Sequence, residues 1–216
     1  MTEDSALQAD APQVGVGPWT GPWPVSEHFD PELLRDGDRR NVVDRYRYWK
    51  LDAIVADLDT TRHEFHVGVE NWQHDLNIGS VVRTANAFNA AAVHIVGRRR
   101  WNRRGAMVTD RYQYQHIIHH PSIDDLLQWC TDNSVPLIGI DNFPDSVPLE
   151  TYDLPRRSLL LFGQEGPGLS EEAHQASTAV LSIAQYGSTR SMNAAAAAAI
   201  TMHSWVRRHV YDQPVD

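Results

Sequence analysis

The chain has 216 residues, 42% of them hydrophobic, a single cysteine and a formal net charge of −9. That length and apolar content suit one sizeable core with an extension, the lone Cys130 excludes an intrachain disulfide framework and fits a reducing compartment, and no apolar run approaches the ~20 residues needed to span a bilayer. The opening MTEDSALQAD is acidic and lacks the apolar centre of a signal peptide, so the expectation is a cytoplasmic protein that meets no membrane.

Residues 1 to 24 are rich in Pro, Gly and acidic groups and read as a disordered or loosely docked arm, with Trp19 and Trp23 able to pack on the body. Residues 25 to 60 read as a helical extension. Leu33, Leu34, Val42, Val43, Tyr46, Trp49, Ile54 and Leu58 are spaced for one apolar face over residues 31 to 58, with a break at Gly37. The main domain is expected over residues 61 to 212. There Phe65, Val67 and Val69 alternate as a strand that ends at Glu70-Asn71. Asn77 is placed to cap a helix containing Val81, Val82, Ala85 and Phe88, and Ala91 to Val96 forms the next strand. This is a strand-loop-helix-strand unit with a right-handed parallel crossover.

Net acidity is unfavourable for contact with phosphates, but the charge is uneven. Residues 61 to 134 hold 8 basic against 7 acidic side chains, and Arg98, Arg99, Arg100, Arg103 and Arg104 fall within seven positions around Trp101. That is a basic patch with an aromatic available to stack on a base. His116, His119 and His120 invite a metal reading, but a strand turns adjacent residues to opposite faces and no acidic or thiol partner lies nearby, so no metal is expected. Ser122 to Trp129 reads as a capped helix, Leu137 to Ile140 as a strand and Asp141 to Pro155 as a long loop.

The most informative stretch is residues 159 to 200. An apolar run, Leu159 to Phe162, ends in a turn carrying Gly163, Gly166, Pro167 and Gly168. A second run, Ala179 to Ile183, ends in Gln185 to Ser191 and leads into a helix capped by Ser191 or Asn193. Six alanines, Ala194 to Ala199, open that helix before Ile200, Met202 and Trp205, giving a small-faced helix that lets another backbone approach closely. Two strands thus deliver two loops, and strand-end loops of α/β sheets are where ligands usually sit.

These residues resemble the SPOUT class of RNA methyltransferases, and within it the SpoU/TrmH family of ribose 2'-O-methyltransferases. Gly163, Glu165, Gly168 and Leu169 match its G-x-E-x-x-G-L stretch, Ile183, Gly187, Ser191, Met192 and Asn193 match its I-P-M-x-G-x-x-x-S-L-N stretch, and Asn77, Gly79 and Arg83 match its N-x-G-x-x-x-R stretch. Ala184 and Gln185 stand where the family usually has Pro and Met. The resemblance implies an α/β fold, a mostly parallel sheet flanked by helices, with a C-terminal deep trefoil knot in about residues 135 to 205.

It also implies an enzyme that uses S-adenosylmethionine to methylate a ribose 2'-hydroxyl of structured RNA. Transfer RNA is favoured slightly over ribosomal RNA because no separate RNA-binding domain is present. Arg83, Asn77, Glu165, Ser191 and Asn193 would form the catalytic set. Arg83 would face the strand ends and stabilise the developing alkoxide, since a guanidinium stays protonated and is a poor base. Ile140, Gly163, Gly168, Ile183, Gly187 and Met192 would surround the cofactor, and Arg98, Arg99, Arg100, Arg103, Arg104 and Arg190 would meet RNA. Relatives act as homodimers through the knot helices, a contact that the alanine face with Trp205 would suit. The alternatives are a knotted RNA-binding protein without chemistry and a methyltransferase acting on a base.

Overall fold

The computed structural model describes residues 15–70, 72, 74–98, 101, 113–164 and 166–212. The chain forms two compact units, residues 1–57 and 58–216.

In the first unit the helical stretch expected over residues 31 to 58 breaks at Gly37, as the sequence indicates, but does not resume at once. Helix α1 (Pro31–Asp36) is capped by Asp30, whose carboxylate accepts from the N–H groups of Glu32 and Leu33, and it stops at Gly37, where φ is +91°. Beyond it the fully buried Asp38 carboxylate accepts from the Arg40 and Tyr48 backbone N–H groups, both at 3.0 Å, and from the Arg40 guanidinium at 2.9 and 2.7 Å. Buried charge demands such partners, and backbone donors gathered around one carboxylate cannot also serve a helix. Only a 3-10 turn, Asp44–Tyr46, and helix α2 (Leu51–Asp59) follow. The described part of the N-terminal arm docks here. Val16 and Asp38 exchange two backbone hydrogen bonds of 2.9 Å, and Trp19 meets Tyr48 edge-on at 5.5 Å.

The second unit is one sheet covered by helices. Its strands are β1 (Phe65–Glu70), β2 (Val93–Val96), β3 (Ile117–His120), β4 (Leu137–Ile140), β5 (Val147–Pro148), β6 (Ser158–Phe162) and β7 (Ala179–Ser182). They lie in the order β3-β2-β1-β6-β4-β7-β5, and every pair is parallel. Such a sheet needs cover on both faces, which explains the unbroken apolar runs in its central strands. Helix α3 (Asp75–Ala87) follows β1, and α4 (Ile123–Asn133), α5 (Glu171–Ala176) and α6 (Ala194–His209) complete the layers.

Strand periodicity divides the core. Phe65, Val67, Val69, Ile95 and Leu160 share one cluster with Val81, Val82 and Ala85 of α3 and Met202 and Trp205 of α6. Leu159, Leu161 and Val96 share the other with Leu126 and Cys130 of α4 and Ala173 of α5. Cys130 is a free thiol whose pKa burial raises to about 11.

On that second face three histidines from adjacent strands form a row. His66 Nδ1 lies 3.1 Å from His94 Nε2, and His94 Nδ1 lies 2.8 Å from His120 Nε2. Burial lowers all three pKa values, His66 to about 4 and His94 to about 2. Neutral imidazoles satisfy one another here, each offering one donor and one acceptor. His116 is exposed and bonds Asp59 at 2.8 Å, and His119 is exposed.

Two aromatic residues are placed otherwise than the sequence reading expects. Trp101 is 9% exposed and joins the core, so it offers no face to a base. Trp205 is fully buried against Phe65 at 4.5 Å, and its indole N–H donates to the Pro155 and Arg156 carbonyls, so it is unavailable to a second subunit.

Candidate active site

Strand β6 enters between β1 and β4, so its C-terminal end opens among the loops that follow three neighbouring strands. A cleft of about 480 Å³ lies there. Its wall comes from the start of α3 (His74, Asn77), the ends of β4 and β6 (Ile140, Phe162), the glycine loop (Gly163, Gly168) and the segment leading into α6 (Ser191, Met192, Asn193).

The glycine loop is shaped by its own backbone and by three side chains. Gln164 and Gly168 exchange backbone hydrogen bonds of 2.7 and 3.0 Å. The Trp72 indole N–H donates to the Gly163 carbonyl at 2.8 Å, the Asp141 carboxylate accepts from Leu169 N at 2.7 Å, and the buried Glu70 accepts from Ser170 N at 3.1 Å. A Cβ on Gly163 would stand 2.1 Å from Leu169 N, and Gly168 takes φ +84° with Asp141 Oδ2 2.3 Å from where its Cβ would be. Both positions require glycine on steric and conformational grounds.

Helix α6 starts where the sequence places it. Asn193 is its cap, its side-chain oxygen accepting from Ala195 N at 2.9 Å and Ala196 N at 3.2 Å. The amide of the same side chain donates to Asn77 Oδ1 at 3.3 Å. Asn77 is not itself a cap. The cap of α3 lies three residues earlier, at His74, so Asn77 sits inside the first turn and turns its side chain to the cleft.

Of the expected site residues, Asn77, Ser191, Asn193, Ile140, Gly163, Gly168, Ile183 and Met192 come together in the cleft wall. Arg83 does not line it. It lies on the exposed side of α3, in a row with the exposed Leu76, Ser80 and Ala87, because a six-residue step from Asn77 rotates the side chain well away from it. Arg83 makes no hydrogen bond or ion pair with another described residue. Gly187 also stands outside the wall, with open space where a Cβ would be. Arg98 and Arg190 are exposed. Glu165, Arg99, Arg100, Arg103 and Arg104 lie outside the described residues.

Sequence reasoning missed His74, Asp141, Asn142 and Gln185 in the wall and Trp72 and Glu70 behind the loop. Polar residues at the ends of β1 and β4 were the available signal, since strand C-termini are where such sheets bind ligands. The cleft has the size of a small-molecule site. Ile140, Phe162, Ile183 and Met192 give it apolar surface, and Asn77, Asp141, Asn142, Ser191 and Asn193 give it polar side chains. A nucleoside-sized cofactor fits that donor set.

A parallel sheet with this glycine loop and capped helix has relatives. The model of the SpoU rRNA Methylase family matches residues 64–203, which is most of the second unit. The chain belongs to the SpoU rRNA Methylase family. Among curated SpoU-like proteins it is 27% identical over 173 residues to an uncharacterized tRNA/rRNA methyltransferase of Mycobacterium ulcerans, covering 77% of this chain and 54% of that one. It is 26% identical over 201 residues to the 23S rRNA (uridine(2479)-2'-O)-methyltransferase of Streptomyces viridochromogenes, covering 83% and 66%. The chain thus spans about half the length of the first of these.

Solved SpoU structures agree in fold. AviRb from Streptomyces viridochromogenes in complex with AdoMet superposes with a TM-score of 0.63 at 25% identity, covering 71% of this chain and 61% of that one. The A. aeolicus TrmH/SpoU tRNA modifying enzyme does so with a TM-score of 0.65 at 18% identity, covering 75% and 83%, which speaks for the fold alone.

Proposed function

We propose that this SpoU-family chain is an S-adenosylmethionine-dependent methyltransferase acting on a ribose 2'-hydroxyl of structured RNA, with transfer RNA as the first substrate to test. The observation that carries the reading is the convergence of Asn77, Ser191 and Asn193 with the glycine loop on one cleft. Relatives named as 2'-O-methyltransferases of transfer and ribosomal RNA support it.

The cofactor, when bound, supplies an electrophilic methyl group on a sulfonium. The chain's task is then to hold two centres in line and to manage one proton. Ile140, Ile183 and Met192 offer the apolar surface for the adenine, and Gly163 and Gly168 let backbone come close to it. Asn77 and Ser191 would orient Arg83 or the ribose, and Asn193 caps the helix and bonds the Asn77 side chain. His74 adds an imidazole to the wall. Glu165, which lies outside the described residues, would fix the site through hydrogen bonds.

Arg83 fits this scheme through a second copy of the chain. It projects from the exposed side of α3, which packs beside α6, and both helices also expose apolar side chains there, Leu76 at 57% and Ile200 at 41%. Pairing of these faces in a homodimer would bring the Arg83 of one subunit toward the cleft of the other, where its fixed charge would stabilise the alkoxide and grip the adjacent phosphate. This contact uses the outer faces of α3 and α6 and leaves Trp205 inside. Arg98 and Arg190, with the neighbouring arginines 99, 100, 103 and 104, would engage the RNA backbone. The reading includes a deep trefoil knot over about residues 135 to 205, supported by the place of β6 between β1 and β4 and by the likeness to SpoU structures. It also includes a cytoplasmic location.

The test is transfer of label from S-adenosylmethionine to total RNA taken from cells lacking the protein, followed by size fractionation. Label in one RNA class is the expected result. No label in any class, together with no cofactor binding by calorimetry, overturns the reading.

A further inference from the structure

The segment between β7 and α6 is held at both ends and open in the middle. At its root the Ala184 N–H donates to the Glu150 carboxylate at 3.0 Å, and Glu150 belongs to the 3-10 turn Leu149–Thr151, anchored by the buried Leu149. At its far end the Asn142 side-chain amide donates to the Arg190 carbonyl at 3.3 Å. Residues 186 to 190 between these ties are exposed. Tyr186 is 97% exposed, and a Cβ built on the following Gly187 would have nothing within 4 Å. Gln185 before it and Ser191 after the loop both line the cleft.

An aromatic ring left almost wholly in water contributes nothing to the core, and here it stands beside open space at the rim of the cleft. Both ties reduce the freedom that the loop would lose on binding. Aromatic side chains recognise unpaired nucleotides by stacking on the base, without demanding a particular sequence, and a neighbouring arginine assists by meeting phosphate or stacking. The exposed Arg190 lies four residues along the same loop. We infer that residues 184–190 form a stacking platform, with Tyr186 receiving an unpaired base next to the methylated ribose, so that the substrate is single-stranded or splayed at the target. This rests on the methyltransferase reading above.

The test uses the full chain and the RNA fragment that the wild type labels, offered either with the target in a loop or locked into a duplex by a complementary strand. Binding is read without cofactor, by fluorescence anisotropy of end-labelled RNA. Tyr186→Ala is expected to weaken binding of the looped RNA about tenfold, in the range that one base stacked on an aromatic is worth. Tyr186→Phe is expected to stay within about twofold of wild type, because the ring face remains. With looped RNA, KM for RNA rises more than kcat falls, while cofactor affinity by calorimetry is unchanged. Equal binding by Tyr186→Ala and wild type, or a wild-type preference for the duplex, overturns the platform. If the wild type labels no RNA at all, the methyltransferase reading fails and the platform falls with it. If it labels RNA normally and Tyr186→Ala binds as well, only the platform falls.

Discussion

The Asn193 side-chain amide donates to Asn77 Oδ1 at 3.3 Å across 116 residues of chain, joining the first turn of α3 to the cap of α6 at the cleft. One side chain therefore does two jobs, since its oxygen also accepts from the Ala195 and Ala196 N–H groups. The jobs separate by substitution. Asn193→Asp keeps the accepting oxygens and loses the donor, so stability in urea should stay near wild type while methyl transfer falls at least tenfold. Asn193→Ala loses both, and denaturation should show a further cost of about 1 kcal/mol from the missing cap.

Glycine at position 163 is required by backbone, not by solvent exposure. A Cβ there would lie 2.1 Å from Leu169 N and 2.3 Å from the Gly168 carbonyl carbon, atoms that cannot step aside cheaply. Gly163→Ala is expected to displace the glycine loop and abolish cofactor binding by calorimetry. Gly187→Ala meets nothing within 4 Å and should leave the midpoint of thermal unfolding within a degree or two.

The histidine row makes stability depend on pH in a definite direction. Burial holds the folded pKa of His66 at about 4 and that of His94 at about 2, below the ordinary 6.5 of an unfolded histidine. Below pH 6.5 the unfolded chain therefore binds more protons than the folded one. The stabilisation is fully present above that value and is lost as pH falls toward the folded values. For the fully buried His94 the slope approaches about 1.4 kcal/mol per pH unit. Urea titrations between pH 7.5 and 4.5 should show the decline, and His94→Gln should flatten it. A flat wild-type profile would contradict the buried, neutral row.

Cys130 gives a simpler check on packing. It is 7% exposed, and burial raises its pKa to about 11, so the nucleophilic thiolate is scarce. At pH 8 the folded protein should react with a chromogenic disulfide reagent at least a hundredfold more slowly than the protein in guanidinium.

Strands and their order along the chain were legible where apolar runs end in glycine or polar residues, as at Phe162-Gly163 and Ser182 to Gln185. The cap of α6 was legible to within two residues: Ser191 and Asn193 both read as candidates before the run of alanines, and Asn193 takes the position. What the sequence did not carry was direction. Arg83 lies on the same helix as Asn77, but a shift of the helix cap by three residues, from Asn77 to His74, and the 3.6-residue turn decide which way it points. Tryptophans misled for a related reason. Trp101 beside arginines and Trp205 behind alanines look like surface contacts in one dimension, while the sheet draws both rings into its core. Gly37 marked the end of α1, but the irregular stretch after it is organised by Asp38, whose burial no periodicity reveals. Residues behind the glycine loop, Trp72 and Glu70, act through a contact 91 or 100 positions away and leave no local pattern.

The most direct test of the central claim is where the methyl group goes. RNA labelled by the wild-type protein from S-adenosylmethionine should be hydrolysed in alkali, which cleaves beside every free 2'-hydroxyl. The account expects the label in an alkali-resistant dinucleotide at one site, and none when Arg83→Ala replaces wild type while that variant still binds cofactor. Label recovered in ordinary mononucleotides would place the methyl on a base and contradict ribose methylation.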